Sequence, residues 1–366
     1  MSQRRIRAVF MRGGTSRALF FHEADLPPAG GPRDRILLAA LGSPDPYGRQ
    51  LDGLGAGISS LSKACIIGPA THPHADVDYT FAQVHVREPT VDYTGNCGNS
   101  AAAVGPFAID ERLVPAVEGE TLVRIHNTNT KKVIVAHVPV SAGEAAVAGD
   151  FELPGVPGRG ARIRLDFLDP GGAATGRLLP TGHARDLVEG LPASLVDATN
   201  PVVFVRAADL GLRGTESPHA LDADRGLAAR LEALRVAAGA MMGIPGSAAT
   251  PKVALVAPPA AFTALDGTPY GRERVDLVAR VISMGNCHRA FALTAAMCLA
   301  VAAQTEGTVV RECAVVHPGA DLKLGHPSGV LPIDAAVAVE GGEPRAERVT
   351  VYRTARRLME GFVRVP

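Results

Sequence analysis

Two short segments carry the same three residues ahead of an apolar stretch, Gly95-Asn96-Cys97 and Gly285-Asn286-Cys287. The first continues Gly98-Asn99-Ser100-Ala101-Ala102 and the second His288-Arg289-Ala290-Phe291-Ala292. A cysteine at the start of a helix feels the positive end of the macrodipole, which favours the thiolate. Unpaired backbone N–H groups at the same place bind carboxylates. Gly98 would let a ligand approach the backbone closely. Segment 95–100 therefore reads either as an acid/base thiol with an anion cradle or as a buried structural cysteine at a helix cap. Cys287 carries the same two readings.

A glycine-rich stretch, Asp52-Gly53-Leu54-Gly55-Ala56-Gly57-Ile58-Ser59-Ser60-Leu61-Ser62-Lys63, leads into an apolar run. Its glycines lack GxGxxG spacing and precede a strand rather than a helix, which disfavours a dinucleotide loop. Ser60-x-x-Lys63 matches the serine acyl-enzyme motif but lacks its Ser-Asp-Asn and Lys-Thr-Gly companions. The remaining chemical reading makes Lys63 a desolvated general base. A free lysine has a pKa of ~10.4, whereas a buried catalytic one is tuned to roughly 7–8. The plain alternative is a surface lysine at a strand start.

His72-x-His74-x-Asp76-x-Asp78 has the composition of a metal cluster, but Pro73 breaks its geometry and nothing elsewhere completes a site, so an exposed loop is expected and no metal. Near the C-terminus, Gly325-His326-Pro327-Ser328-Gly329 reads as a loop suited to a carboxylate or as an ordinary Pro-Gly turn.

These groups need elements to hold them. The chain has 366 residues, which at ~150 per domain means two domains or one large one. An apolar fraction of 46% with 20% charged residues argues against disorder. Equal numbers of acidic and basic residues argue against a dedicated nucleic-acid or membrane-surface binder. The longest apolar run, Ala295 to Ala303, falls far short of the ~20 residues of a membrane helix. The N-terminal Met-Ser-Gln-Arg-Arg-Ile-Arg has no apolar segment behind it, so no secretory signal is expected. Cys65, Cys97, Cys287, Cys298 and Cys313 show no metal spacing and read as reduced thiols of a cytoplasmic protein.

Strand-like runs recur at Ile6–Phe10, Ala18–Phe21, Ala64–Ile67, Val77–Val86, Thr121–His126, Val133–Val138, Arg162–Phe167, Val202–Arg206, Val253–Val256, Val309–Val316 and Val349–Tyr352. Arg33–Leu41 and Leu221–Met241 have the spacing of amphipathic helices. Gly98–Ile109 and His288–Ala303 are apolar nearly all round, so each helix must be covered on every side. With so many strands at hand, each is expected to be wrapped by a curved sheet. The shared Gly-Asn-Cys prefix, one in each half, predicts a worn internal duplication with two similar α/β lobes. The boundary is expected near residue 185, giving lobes 1–185 and 186–349, with the tail 350–366 packing back on the first.

Met11-Arg12-Gly13-Gly14-Thr15-Ser16, Gly42-Ser43-Pro44-Asp45, Asp52-Gly53-Leu54-Gly55, Ser62-Lys63, Asp76-Val77-Asp78-Tyr79, Asn96-Cys97-Gly98-Asn99, Gly155-Val156-Pro157-Gly158 and Gly325-His326-Pro327-Ser328-Gly329 together resemble the PrpF family over nearly the whole chain. Its members include 2-methylaconitate isomerase, methylitaconate Δ-isomerase and 4-oxalomesaconate tautomerase. The resemblance implies an α/β (α+β) fold of the diaminopimelate-epimerase type, with two pseudo-symmetric lobes, each a curved, mostly antiparallel sheet around a central helix. It implies a cofactor-independent shift of a carbon–carbon double bond in an unsaturated di- or tricarboxylic acid, with Lys63 and Cys97 at the positions of the catalytic pair. Lys63 is assigned as base and Cys97 as its acid/base partner, or the reverse. Gly98, Asn99 and Ser100 would bind one carboxylate, and His288 and Arg289 beside Cys287 another. Thr15, Ser16, Ser60, Asn96, His326 and Ser328 are further candidates for substrate contact. Cys287-His288-Arg289-Ala290 looks like the oxalomesaconate branch, while Ser283-Met284-Gly285 and Ser194-Leu195-Val196-Asp197 look more like methylaconitate isomerases. The expected substrate is 4-oxalomesaconate, with 2-methylaconitate second. A small-molecule polycarboxylate is the expected partner, without nucleic acid or membrane, in a monomer or homodimer. Two competing hypotheses are an epimerase using Cys97 and Cys287 as a symmetric thiol pair and a non-catalytic polycarboxylate-binding accessory protein.

Overall fold

The computed structural model describes residues 3–244, 250–283 and 285–366, so Met284 of the Ser283-Met284-Gly285 motif lies outside the described residues. The chain forms two compact units. One runs to Asp166 and takes in Tyr352–Pro366; the other is Phe167–Val351. The division falls inside the strand Ile163–Leu168 rather than in the loop near residue 185.

In the first unit, Arg4–Gly13 and Ser16–His22 form an antiparallel hairpin. Ala355–Val365 adds antiparallel to Arg4–Gly13, and Lys63–Pro69 adds parallel to Ser16–His22. Val77–Val84 then pairs antiparallel, Gly119–Asn127 parallel and Lys132–Ser141 antiparallel, each with the strand before it. The helix Gly98–Asp110 packs against Arg4–Gly13, Ser16–His22, Gly119–Asn127 and Lys132–Ser141, and nearly all of it is buried. Its small residues let it sit close to the sheet: a side chain at Gly105 would meet Val138 and Ala136.

The second unit repeats this order of pairings. Asp186–Val188 pairs antiparallel with Leu191–Ala198, which forms a hairpin with Asn200–Arg206. Lys252–Ala257 runs parallel, Leu277–Ser283 antiparallel, Leu322–His326 parallel and Gly329–Glu340 antiparallel, each with the strand before it. The buried helix Leu293–Gln304 takes the place of Gly98–Asp110. Identical sequences of parallel and antiparallel neighbours in both units are the structural counterpart of the repeated Gly-Asn-Cys prefix.

Three expected elements come out differently. Val309–Cys313 is helical, because the Thr308 side chain accepts a hydrogen bond from Arg311 N and caps it. Leu221–Met241 is broken into Pro218–Ala223 and Arg225–Met241 at Asp224, whose carboxylate accepts from Leu227 N and starts the longer helix afresh. The second apolar helix begins at Leu293, not at His288. Ahead of it, Asn286–Cys287 is a strand: Cys287 N is taken by the Asp222 carboxylate and His288 N by Val281 O. Cys287 therefore caps no helix.

Candidate active site

Lys63 is the first residue of its strand, and the loop before it is fixed from within. The Asp45 carboxylate accepts from the backbone N–H groups of Tyr47, Arg49 and Gln50. Gln50, fully buried with a φ of 54°, then ties the loop together. Its Nε2 donates to Ser43 Oγ and Ser62 Oγ, and its Oε1 accepts from Gly57 N. Ser62 Oγ in turn donates to Val84 O on the neighbouring strand. The glycine-rich stretch is thus a scaffold that delivers Lys63 to the sheet.

There the Lys63 Nζ donates to Cys97 Sγ at 3.1 Å and to Ser16 Oγ at 3.2 Å. Ser16 Oγ lies 4.0 Å from Cys97 Sγ, so three functional atoms converge. Cys97 is the N-cap of the helix Gly98–Asp110, and its Sγ accepts from Ser100 N. Lys63 and Cys97 are both 8% exposed. Burial alone would push the thiol up. The Lys63 ammonium and the hydrogen bonds from Ser100 outweigh it, and the Cys97 pKa falls to about 7. Cys65, on the same strand as Lys63, shows the opposite outcome: burial holds it well above the ordinary thiol range.

The rim of the site is built by close packing around Asn99. Its Nδ2 donates to Thr15 Oγ1, and its Oδ1 accepts from the buried Arg353 Nε. A Cβ on Gly13 would collide with Asn99 O, and one on Gly14, where φ is +51°, with Asn99 Oδ1. The two glycines of Arg12-Gly13-Gly14-Thr15 are therefore required by the helix N-terminus packed against them. Arg12 Nη1 donates to Gly14 O and Thr354 O and pins the hairpin turn to the returning C-terminal segment. Behind the thiol, Tyr79 OH donates to Cys97 O, and the buried Asn127 Nδ2 donates to Asn96 Oδ1.

Of the expected site residues, Lys63, Cys97, Ser16, Thr15, Asn96, Gly98, Asn99 and Ser100 thus gather in one place. Ser60 lies in the turn Ser59–Leu61, with no hydrogen bond to Lys63 or Cys97 among the described residues. Cys287, His288, Arg289, His326 and Ser328 belong to the second unit. Arg289 is largely exposed and pairs with Asp222 at 3.1 Å, while His288 Nδ1 accepts from Ala290 N. Ser328 Oγ donates to Arg289 O, and Ser328 N to His326 Nδ1. Burial raises the Cys287 thiol to about 12, with Asp222 acting in the same direction and Arg280 and Arg289 opposing. In the His72–Asp78 segment, Asp76 accepts from Arg124 N, and Asp78 accepts from Thr71 and faces His126 Nδ1 at 2.9 Å. Among the described residues no group of three or more His, Cys, Asp or Glu is arranged to hold a metal ion.

Sequence reasoning missed Gln50, Tyr79, Asn127 and Arg353. Gln50 was within reach, since it closes the loop that opens at the family-like Gly42-Ser43-Pro44-Asp45. Arg353 offered no local signal, because only the returning C-terminal segment brings it to Asn99.

A family profile described as PrpF protein matches residues 3–366. The chain is 43% identical to 3-methylitaconate isomerase of Eubacterium barkeri, covering 99% of this chain and 98% of that one. It is 40% identical to 2-methyl-aconitate isomerase of Shewanella oneidensis, covering 100% and 98%. It is 41% identical to 4-oxalomesaconate tautomerase of Pseudomonas putida, covering 99% and 97%. A crystal structure of methylitaconate-delta-isomerase superposes with a TM-score of 0.88 at 42% identity, covering 100% of this chain and 96% of that one. A hydroxyproline epimerase from Agrobacterium vitis, at 14% identity and a TM-score of 0.55 over 99% and 93% of the two chains, shares the fold. The chain belongs to the PrpF family and, like these relatives, is an isomerase.

Proposed function

We propose that the protein moves a carbon–carbon double bond within an unsaturated di- or tricarboxylic acid by proton transfer between Cys97 and Lys63. The observation that carries this reading is the 3.1 Å contact of Lys63 Nζ with Cys97 Sγ at a helix N-terminus, beside Ser16. With the thiol brought down to about 7, the Cys97 thiolate is well populated near neutral pH. That favours Cys97 as the base and Lys63 as the acid, the reverse of the first assignment from sequence.

The Cys97 thiolate takes the allylic proton, forming an S–H bond and a dienolate whose charge spreads onto a carboxylate. The Lys63 ammonium delivers a proton to the far end of the allyl unit, and the double bond settles in its new place. Transfer of the thiol proton across the 3.1 Å contact to the neutral amine restores thiolate and ammonium. Backbone N–H groups at the helix start would stabilise the developing charge, at about 3–4 kcal/mol per donor by analogy with oxyanion holes. Ser16 would orient the ammonium.

Within this substrate class, 4-oxalomesaconate is favoured from sequence by the likeness of Cys287-His288-Arg289-Ala290 to that branch and by reading the first three as donors at a helix N-terminus. Those residues precede the helix, and Arg289 is paired with Asp222. 2-Methylaconitate and 3-methylitaconate therefore stand level with 4-oxalomesaconate. The test is incubation with each of the three in D₂O, followed by NMR. Appearance of the shifted isomer with deuterium at one carbon supports the reading. No exchange with any of them overturns it and supports the accessory-protein hypothesis instead.

A further inference from the structure

Arg353 is a buried guanidinium with no carboxylate paired to it among the described residues. Nε donates to Asn99 Oδ1 and Nη1 to Tyr352 O, while Nη2 has no hydrogen-bond partner among the described residues. No salt bridge to Arg353 occurs among them either, although the more exposed Arg357 nearby pairs with Glu111. A buried arginine without a counter-charge costs several kcal/mol, so such residues are almost always paired. Desolvation lowers the Arg353 pKa to about 10, and among the described residues the charge that favours its ionised form is the Cys97 thiolate. The packing is committed to this placement. A Cβ on Gly14 would press on the Arg353 Cδ as well as on Asn99, so the glycine makes room for both. Asn99 links the guanidinium directly to the first turn of the helix that Cys97 caps. The site thus gathers two cations, Lys63 and Arg353, around one thiolate, with a guanidinium arm left over.

We propose that Arg353 is a substrate-binding residue whose free arm grips the carboxylate that a tricarboxylate has and a dicarboxylate such as glutarate lacks, and so sets the number of carboxylates the site accepts. This rests on the polycarboxylate reading above and adds to it the residue that reads the charge. A guanidinium fork suits the planar carboxylate, and a bond between charged groups is strong when water is excluded.

The test uses two saturated probes that cannot isomerise: propane-1,2,3-tricarboxylate and glutarate, which lacks the central carboxylate. Calorimetry measures both against the intact protein, Arg353→Gln and Arg353→Lys. In the intact protein the tricarboxylate should bind at least about 10-fold more tightly, the scale of one charged hydrogen bond. Arg353→Gln should lose most of that preference while binding glutarate almost normally. Arg353→Lys, which keeps the charge without the fork, should fall between and serves if the Gln variant does not fold. A uniform loss for both probes would mark Arg353 as a packing residue and overturn the proposal, as would an unchanged preference. If the intact protein bound neither probe, the polycarboxylate reading itself would fall, and this one with it.

Discussion

The two units share one order of strands and one Asn-Cys dipeptide, yet their cysteines live in different chemistry. Cys97 caps a helix, touches Lys63 and is drawn down to about 7. Cys287 sits in a two-residue strand with its backbone N–H held by Asp222, and burial raises it to about 12. The lysines repeat the contrast. Lys63 and Lys252 each open the strand that runs parallel to the hairpin of their unit. Lys63 contacts its cysteine, whereas the charges that act on Cys287 come from Arg280, Asp222 and Arg289. The two units keep the same scaffold, which the hydrophobic pattern maintains. The reactive pair depends on where a helix starts, and in the second copy the helix starts at Leu293, with Cys287 N held by the Asp222 carboxylate and His288 N by Val281 O.

The sharpest way to break this comparison is to remove each thiol in turn. Cys97→Ser should lose at least ~100-fold in turnover, the lower end of general acid–base catalysis. Cys287→Ser should keep at least about a tenth of the activity. Comparable collapse of both would restore the symmetric thiol pair of an epimerase.

The lysines offer the next test. Lys63→Met keeps most of the bulk and removes the amine; turnover should fall by at least ~100-fold with the melting curve unchanged within a few degrees. Lys252→Met should keep at least about a tenth of wild-type turnover. Burial lowers the Lys252 pKa to about 8, and Lys252 belongs to the second unit whereas Lys63 and Cys97 belong to the first. Near-normal turnover in Lys63→Met would remove the lysine from the mechanism.

Alkylation against pH reads the two environments directly. The thiolate is the reactive form. Iodoacetamide should modify Cys97 with a midpoint near pH 7, the value to which Lys63 and Ser100 bring it. Below that pH the thiol is protonated, so kcat/KM should fall with acid in parallel. Cys287 should stay unmodified up to pH 9, because its folded pKa lies far above. In Lys63→Met the largest opposing charge is gone and burial remains, so the Cys97 midpoint should move above the ordinary ~8.5 of a thiol. A midpoint that stayed near 7 would mean the helix N-terminus, not Lys63, sets the thiolate.

Much of this was legible in the sequence because it is periodic or punctuated. The alternating runs gave strands such as Ile6–Phe10 and Val133–Val138, and the uniformly apolar segments gave both central helices. Cys97 could be placed at a helix start because Gly98-Asn99-Ser100 follows it and Ser100 N closes the cap. The start of the second helix could not, since the groups that hold Cys287 N and His288 N outside it, the Asp222 carboxylate and Val281 O, are not adjacent in sequence. The same holds for Arg353, which meets Asn99 only through the returning C-terminal segment, and for Val309–Cys313, where a capping Thr308 overrides β-branched residues. Local pattern specifies elements; side chains arriving from elsewhere decide where they begin and what they touch.

Arg289 supplies the last and smallest test of the contrast between the units. From sequence it stands beside a cysteine on an apolar run, where a guanidinium would grip a second carboxylate. In the folded chain it is largely exposed and paired with Asp222, and its backbone carbonyl accepts from Ser328 Oγ. Exposed pairs of this kind contribute roughly 0–1 kcal/mol, so releasing it costs little. Arg289→Ala should therefore leave stability within about 1 kcal/mol and kcat/KM within about threefold for whichever of 4-oxalomesaconate, 2-methylaconitate and 3-methylitaconate the protein turns over, on the scale of that weak pair. Arg353→Gln should by contrast cost about tenfold or more on a tricarboxylate. A loss in Arg289→Ala confined to 4-oxalomesaconate would give the second unit a hand in substrate choice after all, and would return the oxalomesaconate branch to first place.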